Sequence, residues 1–155
     1  MALVSTPTPT TDPEQLIEND SWFPDIDLVL LRDTVRIDPN VTLERLREAA
    51  VEAISSANRQ LAVWKAGHVA LGVESLAEVP APSVNGESAK TAQYRRAVHS
   101  YTAADLSARL RDIGTTASGH DRADELEDAE GAHRRAAAWA IADIQDKRRT
   151  KVELI

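Results

Sequence analysis

Residues 43–66 read LERLREAAVEAISSANRQLAVWKA, a stretch with the pattern of a long helix. Its apolar residues recur every three or four positions, which is the spacing of a helix with one apolar face. That face carries Leu46, Ala50, Ala53, Ala57, Leu61 and Trp64, with Ile54 beside it. Thr42 is a favourable N-cap before the stretch, and Gly67 is a stop signal after it. We predict a long helix over residues 43–66.

Two more long helices are predicted, over residues 88–113 and 122–147, with apolar stripes rich in alanine. Acidic residues crowd the start of the last helix, and Lys147, Arg148 and Arg149 lie at its end, so both ends complement the helix dipole. Helices in this order, joined by short connections, pack as antiparallel neighbours. The sequence therefore predicts an all-α fold, a helical bundle of three long helices plus short helices.

The segments between the long helices carry weaker signals. A short helix is predicted over residues 28–36, with Asp27 as its N-cap. One helical turn is expected near residues 75–79. The Asn85-Gly86 pair also favours a hairpin turn, but its flanks do not alternate between apolar and polar residues, so no strands are predicted there.

Both ends of the chain differ from the helical domain predicted for residues 22–150. Residues 5–13 read STPTPTTDP, in which prolines block regular hydrogen bonding, so residues 1–21 are expected to form an extended N-terminal arm. Residues 151–155, KVELI, alternate like a short C-terminal tail strand. A strand this short is not stable alone, so it is either a frayed terminus or an addition to the edge of a neighbouring chain.

Composition narrows the class of protein. The 155 residues include no cysteine, which excludes disulfides, cysteine-based zinc sites and cysteine nucleophiles. No segment approaches the ~18 consecutive apolar residues that a membrane span needs, and the start lacks a signal-peptide pattern, so we expect a cytosolic protein at synthesis and no membrane contact. The net charge of −7 argues against tight binding of nucleic acid.

No pattern in the sequence points to catalysis. No two of the four histidines have the spacing of a helical metal site, and phosphate-binding glycine loops and the nucleophile elbow are missing. The acidic run over residues 121–130 lacks the alternating ligands of a calcium loop, and a helix start accounts for its acids. We expect no enzyme, no cofactor and no metal.

Protein contacts are the expected use of the two ends. Trp22, Phe23, Pro24 and Asp25 place two aromatic residues in an aromatic-poor chain, and we expect them to anchor the root of the arm onto a core or onto a neighbour. Further candidate contacts come from the C-terminal region, as charge partners or apolar contacts: Lys147, Arg148, Arg149, Val152, Leu154 and Ile155.

Uneven charge leaves two readings of these ends open. Residues 1–40 hold eight acids against two arginines, whereas residues 134–155 hold six bases against three acids. An acidic start and a basic end suit head-to-tail contact between identical copies. Solvated surface charge explains the same pattern without any contact.

Four blocks, in order, carry a resemblance to a known family. They are residues 22–27 (WFPDID), residues 43–49 (LERLREA), residues 76–80 (LAEVP) with 85–88 (NGES) and 94–98 (YRRAV), and residues 142–147 (ADIQDK). Together the blocks resemble the head completion/stabilization proteins (gpL family) of contractile-tailed temperate phages. Arg148 stands where the family pattern has a proline, so the turn after the last helix is less well defined by the resemblance.

This resemblance implies a structural virion protein without enzyme activity. Such proteins form a head-to-tail connector ring, of about twelve copies, on the portal vertex. The implied partners are the portal protein, the tail terminator and neck proteins, and other copies of the chain. Packaged DNA would pass through the lumen without sequence-specific binding. The implied location is the head–tail neck of the virion, after assembly in the host cytoplasm. The alternative is a cytosolic helical adaptor or regulator that binds a single host or phage protein.

Overall fold

The computed structural model describes residues 13–113 and 120–149, and these are mostly helical, as expected. The helices are α1 (Leu28–Thr34), α2 (Leu43–Ala70), α3 (Ala89–Ile113) and α4 (His120–Ile144), with 3-10 turns at Pro13–Gln15 and Leu76–Glu78. Two short antiparallel hairpins pair β1 (Leu16–Ile17) with β2 (Ile26–Asp27), and β3 (Ser83–Val84) with β4 (Glu87–Ser88). The predicted tail strand, residues 151–155, lies outside the described residues, as does the arm before residue 13.

The helix α2 begins where the sequence predicts and ends later. The Thr42 side chain accepts a hydrogen bond from the Arg45 N–H at 3.4 Å. The predicted end at residue 66 is wrong, because the helix continues through Gly67 to Ala70. A single glycine inside a helix costs only ~1 kcal/mol and does not end it. The helix is ended at Gly72, because its φ of 86° lets the chain fold back. The N–H of the next residue, Val73, then donates to the His68 carbonyl at 3.1 Å.

The helix α4 also ends differently from the prediction, at Ile144 and not at residue 147. Asp146 takes a left-handed backbone, with φ of 56°, and the Lys147 N–H bonds to the Ala142 carbonyl at 2.9 Å. This is a C-terminal cap normally made with glycine, and aspartate is one of the few other residues that tolerates it.

The hairpin of β3 and β4 corrects the expectation that no strands flank Asn85 and Gly86. Both residues have positive φ, 52° and 78°, as the favoured two-residue hairpin turn requires. Val84 pairs with Glu87 across it. Each strand has two residues, so the apolar–polar alternation is too short to be visible in the sequence.

The core forms where α3 packs against both α2 and α4. Small residues of α2 let the helices approach closely, and larger side chains fill the space between them. The fully buried side chains of this core include Leu46, Leu61, Tyr94, Val98 and Ile144.

Residues 13–21, which the sequence assigns to the arm, have structure of their own. Ile17 in β1 is 6% exposed and belongs to the core. The Arg47 guanidinium donates to the carbonyl oxygens of Glu14 and Leu16, at 2.8 and 3.2 Å. These contacts tie residues 14–17 to α2. The boundaries between arm, domain and tail stay predictions.

Candidate interaction surfaces

The aromatic pair at residues 22 and 23 is packed into its own chain. Phe23 stacks on Tyr94, with ring centroids 4.7 Å apart, and Trp22 meets Trp64 edge-on at 5.8 Å. The Trp22 indole N–H donates to the Val73 carbonyl at 3.1 Å. Trp22 and Phe23 are 5% and 4% exposed. Of the two expected anchoring sites, core or neighbour, the geometry of the single chain provides the core.

Polar groups fix the loop that carries these aromatics. The Asn19 amide donates to the Pro24 carbonyl at 3.0 Å and to the Tyr94 hydroxyl at 2.8 Å. The Asp25 carboxylate accepts from the Asn19 N–H at 2.8 Å. Pro24 is half-buried and Asp25 is exposed. Within the predicted contact block, only these last two residues present surface to a partner.

Arg149, after the end of α4, contacts two residues of that helix, Asp143 and Trp139. The Arg149 guanidinium makes a two-pronged ion pair with the Asp143 carboxylate, at 3.1 and 2.7 Å, and lies 5.5 Å from the centre of the Trp139 ring. Hydrogen bonding to Arg149, opposed by slight burial, holds the pKa of the Asp143 carboxyl below its usual value. Arg149 is therefore paired within the chain, although it is exposed, as Lys147 and Arg148 are.

Trp139 was not predicted as a site residue. It stands off the apolar stripe of its helix, so a search for the core passes over it. A tryptophan off the apolar stripe, in a chain with three tryptophans, is the signal that could have found it. Of the other predicted contacts, Val152, Leu154 and Ile155 lie outside the described residues.

Lys90 is a second residue that sequence reasoning missed. It is 5% exposed, and its ammonium donates to the Ile144 carbonyl at 2.7 Å and to the Asp146 carboxylate at 2.8 Å. The ammonium also lies 5.7 Å from the Trp64 ring centre. Lys90 therefore joins the start of α3 to the end of α4, beneath the segment that leads to Arg149.

The last turns of α2 present an apolar surface, which we term the α2 end. Its large side chains are Val63, which is 87% exposed, and Leu71, which is 81% exposed, whereas Val69, at 50%, lies on another face of the helix. Gly67 lies on the same side as Val63, and a methyl group added there would meet nothing within 4 Å. The last buried residue of the helix is Leu61. The helix thus carries exposed apolar side chains beyond the core formed by the described residues.

A groove runs between α1, α3 and α4, and we term it the α1–α3–α4 groove. Its lining combines apolar and basic residues: Leu30, Thr34, Val35, Ala92, Arg95, Arg96, His99, Ser100 and His133. His99 is 4% exposed, and burial, helped by the charge of Arg95, lowers its pKa to about 4. Its imidazole is therefore neutral at pH 7. Arg95 pairs with Glu87 in the hairpin, whereas Arg96 is exposed.

The described residues contain neither a cluster of metal-ligating side chains nor a membrane-spanning helix. Within residues 13–113 and 120–149, no three histidine or acidic side chains cluster so as to hold a metal ion. Nor does any helix in those ranges have the length and apolar character needed to cross a membrane.

Comparisons with known proteins agree with the resemblance. A family model described as phage head completion protein (GPL) matches residues 17–155. The head completion/stabilization protein of Escherichia phage P2 is 36% identical over 149 residues, which cover 96% of this chain and 88% of that protein. No solved structure matches significantly.

Proposed function

The chain belongs to the phage head completion protein (GPL) family, and from this premise we propose that it forms a head-to-tail connector ring on the portal vertex. In this role it completes and stabilises the DNA-filled head and presents a surface for tail attachment. Membership alone makes it a bacteriophage head completion protein, associated with the virion and with other head or tail proteins. The ring, the portal and the tail contact are the finer parts of the proposal.

The α2 end is the observation that carries the assembly role. Burying an aliphatic side chain such as Val63 or Leu71 contributes about 1.5–3 kcal/mol, and here the chain leaves both in water. Both side chains are more than four-fifths exposed. Val63, Gly67 and Leu71 follow one another at intervals of four residues, so they share one face of the helix. An exposed apolar face of this kind is typical of a contact that forms with another protein. We assign it to the neighbouring copy or portal subunit in the ring.

Charge suits a pore that DNA passes through. Glu44, Glu48 and Glu52 are exposed along the first half of α2. An acidic face turned to the lumen repels phosphates, so that DNA slides without sequence-specific binding. Replacing these glutamates with lysine should slow DNA ejection, and unchanged ejection would count against an acidic lumen.

The remaining contacts divide between the two ends of the chain. Pro24, Asp25, Lys147 and Arg148 offer surface to neck proteins or adjacent copies. Val152, Leu154 and Ile155 are proposed apolar contacts of the tail. Trp22 and Phe23 contribute indirectly, by holding the root of the arm on the core, and Arg149 by pairing with Asp143 of α4.

DNA retention provides the test of head completion. Heads filled in the absence of this protein should release DNA to nuclease, and adding the purified chain should protect it. Val63→Asp should abolish protection without unfolding the chain, because Val63 is 87% exposed.

The matched control is Val51→Asp, on the same helix, where the valine is 45% exposed and lies away from the α2 end. This variant should protect like the unmodified chain, provided that circular dichroism shows both variants folded. Equal protection by both variants would remove the α2 end from the account. Heads that retain DNA without the chain would overturn the proposed function.

A further inference from the structure

The surface of the α2 end is not interrupted by charge. Between residues 62 and 71, every exposed residue is uncharged. Lys65, the lysine of this range, is only partly exposed and pairs with Asp20 at 2.7 Å. Val63 and Leu71 are the two large side chains of the α2 end, and both are more than four-fifths exposed. An exposed apolar surface of this kind is typical of one that another protein covers.

Two acidic residues follow the α2 end along the chain. The backbone turns at Gly72 and continues to Glu74 and Glu78, which are both exposed. The Glu74 N–H donates to the Glu78 carboxylate at 3.0 Å, so the two residues lie close together. Three residues span at most about 11 Å, which keeps Glu74 near Leu71. The α2 end is therefore an apolar surface with carboxylates at its edge.

The α1–α3–α4 groove has the complementary character. Leu30, which is 44% exposed, and Val35 contribute apolar side chains from the region of α1, and Ala92 contributes one from α3. Arg96 lies one helical turn after Ala92 and adds an exposed cation to the lining. Among the residues that the structure describes, no acid lines this groove. It thus offers apolar side chains beside a positive charge.

A polar atom of His99, which lines the groove, lacks a partner. Nothing in residues 13–113 or 120–149 forms a hydrogen bond with the Nε2 atom of His99, although the side chain is only 4% exposed. Buried polar atoms are nearly always paired in a complete structure. A polar group that enters the groove from another molecule supplies the missing partner. The groove is therefore incomplete in the single chain.

We propose that the α2 end of one copy packs into the α1–α3–α4 groove of the next copy. Leu71 covers Leu30 and Ala92, and Glu74 faces Arg96. Because the two surfaces differ, the contact is head-to-tail and can close into a ring, whereas contact between two identical surfaces stops at a dimer. The inference rests on the proposed connector ring and names the contact between its copies.

Disulfide formation between copies tests this contact, because the chain has no cysteine of its own. Chains with Leu71→Cys are mixed with chains that carry Ala92→Cys and are mildly oxidised, both alone at high concentration and with isolated portal rings. Docking raises the local concentration of the two thiols, so the mixed disulfide should form at least about tenfold faster than in a control mixture of Leu71→Cys with Val51→Cys. Val51 is an exposed residue of α2 outside the groove. All three substituted positions are exposed, so the variants should fold.

Each outcome of the oxidation decides the matter. Equal rates in the two mixtures, with and without portal rings, would overturn the contact. A Leu71→Cys homodimer that forms as fast as the mixed disulfide would also overturn it, because two α2 ends would then lie together. A charge exchange adds a second check: Glu74→Arg in the Leu71→Cys chain should slow the mixed disulfide, and Arg96→Glu in the Ala92→Cys chain should restore it.

Imaging of the portal rings in the same mixtures separates this inference from the proposed function. A collar on the portal without the mixed disulfide would overturn the groove contact and leave the connector ring in place. The mixed disulfide without a collar would support the contact and count against a ring on the portal. The absence of both would overturn both.

Discussion

Replacing Lys90 with methionine tests how α3 and α4 are joined. The Lys90 ammonium donates to the Ile144 carbonyl at 2.7 Å and to the Asp146 carboxylate at 2.8 Å, in a side chain that is almost fully buried. Methionine keeps an unbranched apolar stem of similar length beside Trp64, but it removes both hydrogen bonds. The substitution therefore isolates the polar contacts from the packing.

The bond to the Ile144 carbonyl dominates the expected loss. A hydrogen bond from a charged donor contributes about 1.5–3 kcal/mol, and the carbonyl left behind would be buried without this partner. The Asp146 side chain is 79% exposed, so solvent screening limits the ion pair to about 0–1 kcal/mol. We expect Lys90→Met to lower the free energy of unfolding by about 1.5–4 kcal/mol.

Urea unfolding followed by circular dichroism measures this change, with Asp146→Asn as the matched control. Asparagine tolerates the left-handed backbone and leaves the bond from Lys90 to the Ile144 carbonyl in place. The control should lose less than about 1 kcal/mol. If Lys90→Met changes the free energy by less than about 0.5 kcal/mol, or if the control loses as much as Lys90→Met, the reasoning is refuted.

Two further predictions concern backbone and pH. Gly72→Ala should destabilise the protein by about 1–2 kcal/mol in urea unfolding, because the φ of Gly72 is 86°. Gly67→Ala, in open space within the helix, should stabilise the protein by up to about 1 kcal/mol. Equal effects of the two substitutions would contradict the assigned helix end. Because folding lowers the pKa of His99 from 6.5 to about 4, stability should be fully present above pH 6.5 and fall as the pH drops towards 4. In His99→Gln, the free energy of unfolding should change less between those pH values than it does in the unmodified protein. An unchanged dependence on pH in this variant would assign it to other groups.

Local signals in the sequence predicted a mostly helical chain and two of the helix caps. Asp27 and Thr42 cap α1 and α2 as expected, since a capping side chain bonds to backbone groups two or three residues away. The resemblance in ordered blocks identified the family, which the comparisons confirm. Signals of this kind depend on neighbours in the sequence.

Features that depend on distant residues were missed. Lys90 has the sequence context of a surface residue at the start of a helix. Its burial follows from contacts with Ile144 and Asp146, which lie 54 and 56 positions further along the chain. Gly67 and Gly72 are both stop signals in the sequence, and local sequence does not indicate that the helix passes the first and ends at Ala70, just before the second. The sequence predicts an anchor at Trp22 and Phe23, but Tyr94, on which Phe23 stacks, could not be identified from local sequence.

The most direct test of the connector role is to image isolated portal rings of the same phage after incubation with the purified chain. The account predicts a collar of added density at one end of the portal, with the symmetry of the ring, and no collar with Val63→Asp. Images that show no added density, whether on isolated portal rings or on the portals of DNA-filled heads, would contradict it.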